Sequence, residues 1–346
     1  MKKLAYGLLS LSFLFVSCKK EETQPISTQG AIRFEVPPHF PAPIYDLSSN
    51  PITPAGFELG KALFYDGILS RDGTVSCGSC HQQGSAFTQH GHDLSHGIDD
   101  KLTRRNAQPI QNLAWERFFM WDGGVFHLDL FPIVPIENPN EMDETGENVL
   151  RKLRESSTYS AMFEKAFGTK EINSLRFLQA LSQFQLMCIS ANSKYDKWTL
   201  GKAQLTATEN EGKQIFEQKC SNCHSGVLQT DRSFRNNGLS ISRNPNDKGR
   251  YEITQKEEDK YKFKVPSLRN IAFTSPYMHD GRFRTLRQVL DHYDSGVEDS
   301  PTLDTLLKKD GTLGIPLSED EKNKIIEFLQ TLSDEEFIRN PLLAEF

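Results

Sequence analysis

Two five-residue stretches carry the densest chemistry in the chain: Cys77-Gly78-Ser79-Cys80-His81 and Cys220-Ser221-Asn222-Cys223-His224. Thiols at i and i+3 can each form a thioether to one porphyrin edge. The adjacent imidazole then stands beneath the iron as proximal ligand. C-x-x-C-H is the attachment signature of c-type haem, so two copies predict two covalently bound haems. A single zinc site using both cysteine pairs is the competing reading. It gives no reason for a histidine directly after each pair. Each iron also needs a second axial ligand, or it keeps an open site that can bind small oxidants. For the second haem the candidates are Met278, His292 and Tyr293, and chemistry alone does not rank them.

The elements that must position these groups are mostly α-helical. Thr53-Pro54 reads as a helix start with proline at the first position. Leu59-Gly60-Lys61-Ala62-Leu63-Phe64 is echoed by Glu211-Gly212-Lys213-Gln214-Ile215-Phe216, each shortly upstream of a C-x-x-C-H. This internal repeat predicts two related cytochrome c-like domains, each with one covalently bound haem. Capping-box spacings at Thr206/Glu209, Thr285/Gln288 and Ser318/Glu321 predict three more helix starts, the last two running to about Tyr293 and Leu332. Residues 146–168 and 171–190 have helical periodicity and are expected to pack as core. Residues 82–140 and 225–262 read as loop. In the first of these, Pro132, Pro135 and Pro139 argue against a long helix.

The chain has 346 residues and a formal net charge of −6. Residues 1–18 resemble a bacterial lipoprotein signal. Lys2 and Lys3 precede an apolar run from Leu4 to Val16, and Ser17-Cys18 offers a small residue before a cysteine to carry the lipid. Cleavage there would remove both lysines and leave the body more acidic. An acidic surface argues against nucleic acid as a partner and leaves room for a basic electron donor. Cys188 lies in an apolar helical stretch and reads as a small buried hydrophobe. Export takes the chain to the compartment where c-type haem is attached, so a periplasmic or cell-envelope location with a lipid anchor is expected. The expected organisation is signal 1–18, flexible tether 19–35, an N-terminal haem domain over 36–200 and a C-terminal haem domain over 201–346.

Further motifs carry a resemblance. Arg105-Asn106-Ala107, Trp121-Asp122-Gly123, Asn138-Pro139-Asn140-Glu141-Met142, Pro266-Ser267-Leu268-Arg269-Asn270 and Thr274-Ser275-Pro276-Tyr277-Met278-His279-Asp280-Gly281 join the two C-x-x-C-H motifs. In this order and spacing, over roughly residues 50–335, the chain resembles bacterial di-haem cytochrome c peroxidases. The MauG enzymes of methylamine utilisation belong to the same superfamily. The resemblance implies a peroxidatic haem on His81 and an electron-transfer haem on His224. It places Trp121 between the haems and Glu141 over the peroxide site, where a carboxylate can move a proton between the two peroxide oxygens. It implies a calcium site at Asn106, Thr274 and Pro276, with oxygen ligands that suit a hard cation. It puts the second ligand of the second haem at Tyr293, where classical peroxidases carry Met and MauG-type proteins Tyr.

Three positions depart from the pattern. His92 and His96 lie on the loop from which some relatives supply a closing histidine, but at other offsets. Phe131 stands where a glutamine is common. Gln218 stands where MauG has the tryptophan used for long-range oxidation of its protein partner. The reading that follows is a peroxidase that reduces hydrogen peroxide with electrons from a small redox protein of cytochrome c or cupredoxin type. The alternatives are a MauG-like oxidase of a protein or small molecule, and a di-haem electron carrier without catalysis.

Overall fold

Local caps set the helix starts. In the computed structural model, which describes Met1 and residues 32–345, α1 (Pro54–Tyr65) begins where the Thr53 hydroxyl accepts from the Gly56 amide at 3.0 Å. α2 (Cys77–Cys80) is one turn, opened by a reciprocal cap between Ser76 and Ser79. α3 (Ile133–Glu137), α4 (Gly146–Glu155), α5 (Ser157–Phe167), α6 (Ser174–Leu186), α7 (Lys194–Thr199) and α8 (Ala207–Lys219) follow. The chain continues with α9 (Tyr251–Thr254), α10 (Leu286–Asp291) and α11 (Glu319–Gln330). The boxes at Thr206/Glu209, Thr285/Gln288 and Ser318/Glu321 form as the spacing predicts. Strand is limited to two antiparallel ribbons among the described residues. β1 (Phe234–Arg235) pairs with β2 (Phe263–Lys264), and β3 (Lys308–Lys309) with β4 (Thr312–Leu313). The fold is mostly α, as the sequence implies.

Three details differ from the sequence reading. The periodic stretch 146–168 is two helices, because Ser156 turns extended (ψ 116°) and caps α5 by accepting from the Tyr159 amide. The helix begun at Thr285 leaves α geometry at His292 and continues as a π-helical turn, His292–Gly296. The packed body begins within the expected tether: Ile32 is buried, and Phe34 stacks on Trp115 with ring centroids 5.9 Å apart. The signal, Cys18 and residues 19–31 lie outside the described residues. Among those described, no helix is long and apolar enough to cross a membrane.

The sequence repeat is a repeat of packing. Gly60 of α1 lies against α6, where an added Cβ would stand 1.9 Å from the Ala180 carbonyl oxygen and 3.1 Å from Phe184 Cβ. Gly212 of α8 lies against α11 in the same way, 1.9 Å from the Lys324 carbonyl oxygen and 3.1 Å from Phe328 Cβ. Phe64 meets Phe184 at 4.8 Å, and Phe216 meets Phe328 at 5.1 Å. Each crossing anchors its own apolar core. The first gathers Phe57, Leu63, Phe87, Leu181 and the buried Cys188, and the second Leu290, Ile325 and Leu329. Full burial of one such side chain is worth about 1.5–3 kcal/mol.

A buried polar junction joins the Pro266–Asn270 motif to the rest. Arg269, 1% exposed, pairs with Asp196 of α7 and donates to the Val227 carbonyl. Asp196 also accepts from His39 at 2.8 Å. Asn270 donates to Gln111 and to Ser190. Buried charges need such partners.

Candidate functional site

α2 presents the first pair of thiols, and the chain then turns so that His81 is half-buried. Its Nδ1 faces the Phe87 carbonyl at 2.8 Å, which leaves Nε2 as the nitrogen available to a metal. His224 repeats this arrangement against the Gln229 carbonyl at 3.3 Å. Burial holds both imidazoles below their usual pKa, so both are neutral, as a ligand must be. Burial pushes Cys77 and Cys220 up to about 12, keeping the thiols protonated and unreactive toward one another. All four motif cysteines are free. Two unbridged thiol pairs, each beside an oriented neutral imidazole, are the donor set that covalent haem requires.

Above the second motif lies a cavity of about 860 Å³ lined by Cys220, Cys223, His224 and Tyr293. Met278 and Gln218 line it too. The π-turn is what brings Tyr293 into the wall. Burial, with smaller contributions from Cys223 and Cys220, pushes its phenol up to about 12. His292 turns away, and its Nε2 contacts the Asn237 carbonyl at 3.0 Å. Of the three ligand candidates, the cavity therefore takes in Tyr293 and Met278.

Glu141 is half-buried beside the first motif. Its carboxylate is near enough to raise the Cys77 and Cys80 thiols further, beyond the larger effect of their burial. Asn138 Nδ2 donates to it at 2.7 Å, and its backbone carbonyl accepts from the Ile98 amide at 2.8 Å. Burial still holds the carboxyl above its ordinary pKa. A carboxyl raised in this way suits proton transfer.

Trp121 stands at the tip of a hairpin closed by a bridge between Phe119 and Val125, and it lines the same cavity as His224. Its Nε1 donates to the Asn106 carbonyl at 2.9 Å. Asn106, Thr274 and Pro276 all line that cavity. Asn106 Nδ2 donates to the Asp93 carbonyl, which leaves its amide oxygen for a cation. Among the described residues no three His, Cys, Asp or Glu side chains are gathered to hold a metal, so a cation there would rely on neutral oxygens. Phe131 stacks on Phe119 at 5.6 Å. His92 and His96 lie exposed with ring centroids 5.0 Å apart, and His96 is paired to Asp100.

Two features escaped the sequence. His279 stacks on Phe263 at 3.8 Å, and burial pushes it down to about 4. Arg105 holds Asp247, 142 residues away, through two contacts of 2.7 Å. The Arg105-Asn106-Ala107 motif was the one available signal for the second, and it names no partner.

The chain as a whole is similar to several known proteins. Residues 54–204 match the family model described as di-haem cytochrome c peroxidase. The chain is 36% identical over 335 residues to the methylamine utilization protein MauG of Methylorubrum extorquens, covering 96% of this chain and 92% of that protein. It is 33% identical over 294 residues to the cytochrome c551 peroxidase of Nitrosomonas europaea, covering 83% of this chain and 82% of that protein. A solved MauG-like protein associated with microbial copper homeostasis matches with a TM-score of 0.80 at 32% identity, over 90% of this chain and 99% of that one.

Proposed function

This chain belongs to the bacterial di-haem cytochrome c peroxidase and MauG family, and we propose that it reduces hydrogen peroxide to water with electrons from a small redox protein of cytochrome c or cupredoxin type. It is an oxidoreductase of that type. The reaction consumes two electrons and two protons per peroxide and yields two waters. The observation that carries the proposal is Glu141, a half-buried carboxyl with a raised pKa beside Cys77 and Cys80.

Cys77, Cys80 and His81 would hold one haem, and Cys220, Cys223 and His224 the other. When bound, the two irons supply the one-electron chemistry and an open coordination face for peroxide. Glu141 takes a proton from one peroxide oxygen and returns it to the other, which eases O–O cleavage. Asn138 fixes the carboxylate in place. Tyr293 provides a phenolate to the second site. Its raised pKa means that the proton leaves only against a cation. Trp121 lies on the electron route. Asn106, Thr274 and Pro276 would hold calcium, and a bound ion would stiffen the cavity wall they share with Trp121. The two haem domains span 36–200 and 201–346, with Leu228, Phe337 and Leu343 of the second reaching into the first apolar core. A periplasmic location, lipid-anchored through Cys18, follows from the signal-like segment and from the need for covalent haem attachment.

Steady-state turnover of peroxide with a reduced small cytochrome tests the proposal. Turnover that Glu141→Gln abolishes supports it, and a protein with both haems but no peroxide turnover removes it. A second reading, MauG-like oxidation of a protein or small molecule, draws on Tyr293 in the cavity and on the 36% identity to MauG. Gln218 stands in that cavity where MauG has its tryptophan, which weighs against it. Product analysis after peroxide addition separates the two.

A further inference from the structure

Two adjacent residues of one segment bind two adjacent residues of another. Arg105 Nη1 meets Asp122 Oδ2 at 2.5 Å, and the next residue, Asn106, accepts from the Trp121 indole at 2.9 Å. Arg105 is in turn gripped by Asp247, whose carboxylate takes Nε and Nη2 at 2.7 Å each. The Asp247 side chain is fully buried, and those of Arg105 and Asp122 are 11% and 12% exposed. A bidentate carboxylate–guanidinium pair fixes direction as well as distance.

The segment that carries Asp247 then grips the Trp121–Gly123 backbone at three more points. The Lys264 amide donates to the Trp121 carbonyl at 2.7 Å, and Arg250 Nη1 donates to the Asp122 and Gly123 carbonyls at 2.8 and 2.9 Å. Gly123, at φ +68°, admits this approach, since a Cβ there would stand 2.3 Å from Phe234. Residues 247–264 thus form a clasp on the turn that carries the indole, while Asn106 takes the indole N–H.

We propose that Asp247 is a positioning residue for electron transfer between the two haem sites. By holding Arg105 against Asp122, it fixes the Trp121 ring at its place on the route. The inference rests on the proposed role of Trp121. Electron tunnelling falls off exponentially with distance, so an indole freed to shift by a fraction of an ångström conducts more slowly. Loss of the Asp247 charge should slow transfer about tenfold, in keeping with the sensitivity of positioned groups to small displacements.

The test uses the holoprotein with both haems in place, counted by the pyridine haemochrome spectrum. A photoreductant injects one electron, and its redistribution between the haems is followed by absorbance. Asp247→Asn should slow redistribution about tenfold, and Trp121→Phe should slow it at least as much. The double variant should be no slower than Trp121→Phe alone, because both act through one ring. Arg105→Lys, which keeps charge but loses the planar fork, should slow it like Asp247→Asn and serves if that variant does not accumulate. Asp247→Asn or Arg105→Lys at the parent rate, with Trp121→Phe slow, overturns the clasp and leaves the route standing. Additive slowing in the double variant also overturns it, since Asp247 would then act elsewhere. Trp121→Phe at the parent rate removes the route and the clasp together.

Discussion

The indole Nε1–H of Trp121 points at the backbone carbonyl of Asn106, 2.9 Å away. A carbonyl accepts a hydrogen bond but is far too weak a base to keep the proton. An electron that crosses Trp121 therefore has no local proton to travel with. Inter-haem transfer should be flat across the neutral pH range and show a solvent isotope effect close to unity. A large isotope effect would mean that the electron takes a proton-coupled path past some other residue.

Glu141 should show itself twice. Glu141→Gln keeps the shape and removes the base, and such groups contribute typically about 100- to 10,000-fold, so peroxide turnover should fall by that order with both haem spectra retained. In the parent, turnover should fall as pH drops through the Glu141 pKa, which burial raises above its ordinary value. Stability carries the opposite sign. Between the unfolded and the raised folded pKa the native state holds the extra proton, so stability falls as pH rises through that window. Melting curves of Glu141→Gln should lie slightly above the parent at neutral pH and meet it in acid.

Tyr293→Phe should remove one low-spin component from the electron paramagnetic resonance spectrum and raise the potential of the haem on His224. His292→Ala should leave both alone, because that ring is turned to the Asn237 carbonyl. Met278→Leu is the sharper control, since Met278 shares the cavity wall. A spectrum that follows Met278 and ignores Tyr293 would reverse the ligand assignment.

The two glycine crossings should be equally intolerant. Gly60→Ala and Gly212→Ala each place a methyl 1.9 Å from a backbone carbonyl oxygen that cannot rotate away. Overpacking of this kind destabilises by about 1–3 kcal/mol. Thermal melts should register both losses, and a neutral Gly212→Ala would mean that α8 can slide on α11.

Calcium is tested by removal. Chelation should lower inter-haem transfer reversibly while haem content stays constant. Asn106→Ala should produce the same loss without chelator and make the protein indifferent to added calcium. Activity unmoved by either treatment would leave that cavity wall without an ion.

Much of this was open to reading in one dimension because its chemistry is local. The C-x-x-C-H stretches declare themselves within five residues, and the caps at Thr206, Thr285 and Ser318 within four. The echo of Gly60 in Gly212 is a sequence repeat that becomes a repeated crossing. What could not be read lies in choices that distant residues make. Ser156 can continue a helix or cap the next one, and its neighbours' periodicity suits both. The π-turn at His292–Gly296, which swings Tyr293 into the cavity and His292 out, leaves no pattern in its residue types. The grip of Asp247 on Arg105 spans 142 residues, and the motif around Arg105 names no partner for it.

The paired crossings at Gly60 and Gly212 also bear on how such a chain can change over time. Each secures a pair of helices beside one C-x-x-C-H, and the rest of its core packs onto that frame. Mutation can therefore alter the exposed surface of one half while the other keeps its properties. Variation between lineages should gather at exposed positions away from the site, such as Phe126, Leu130 and Ile241. It should be scarce at the two glycines and at the carbonyls of Ala180 and Lys324 that they face. A duplicated frame of this kind lets one half acquire a new reaction while its twin goes on delivering electrons.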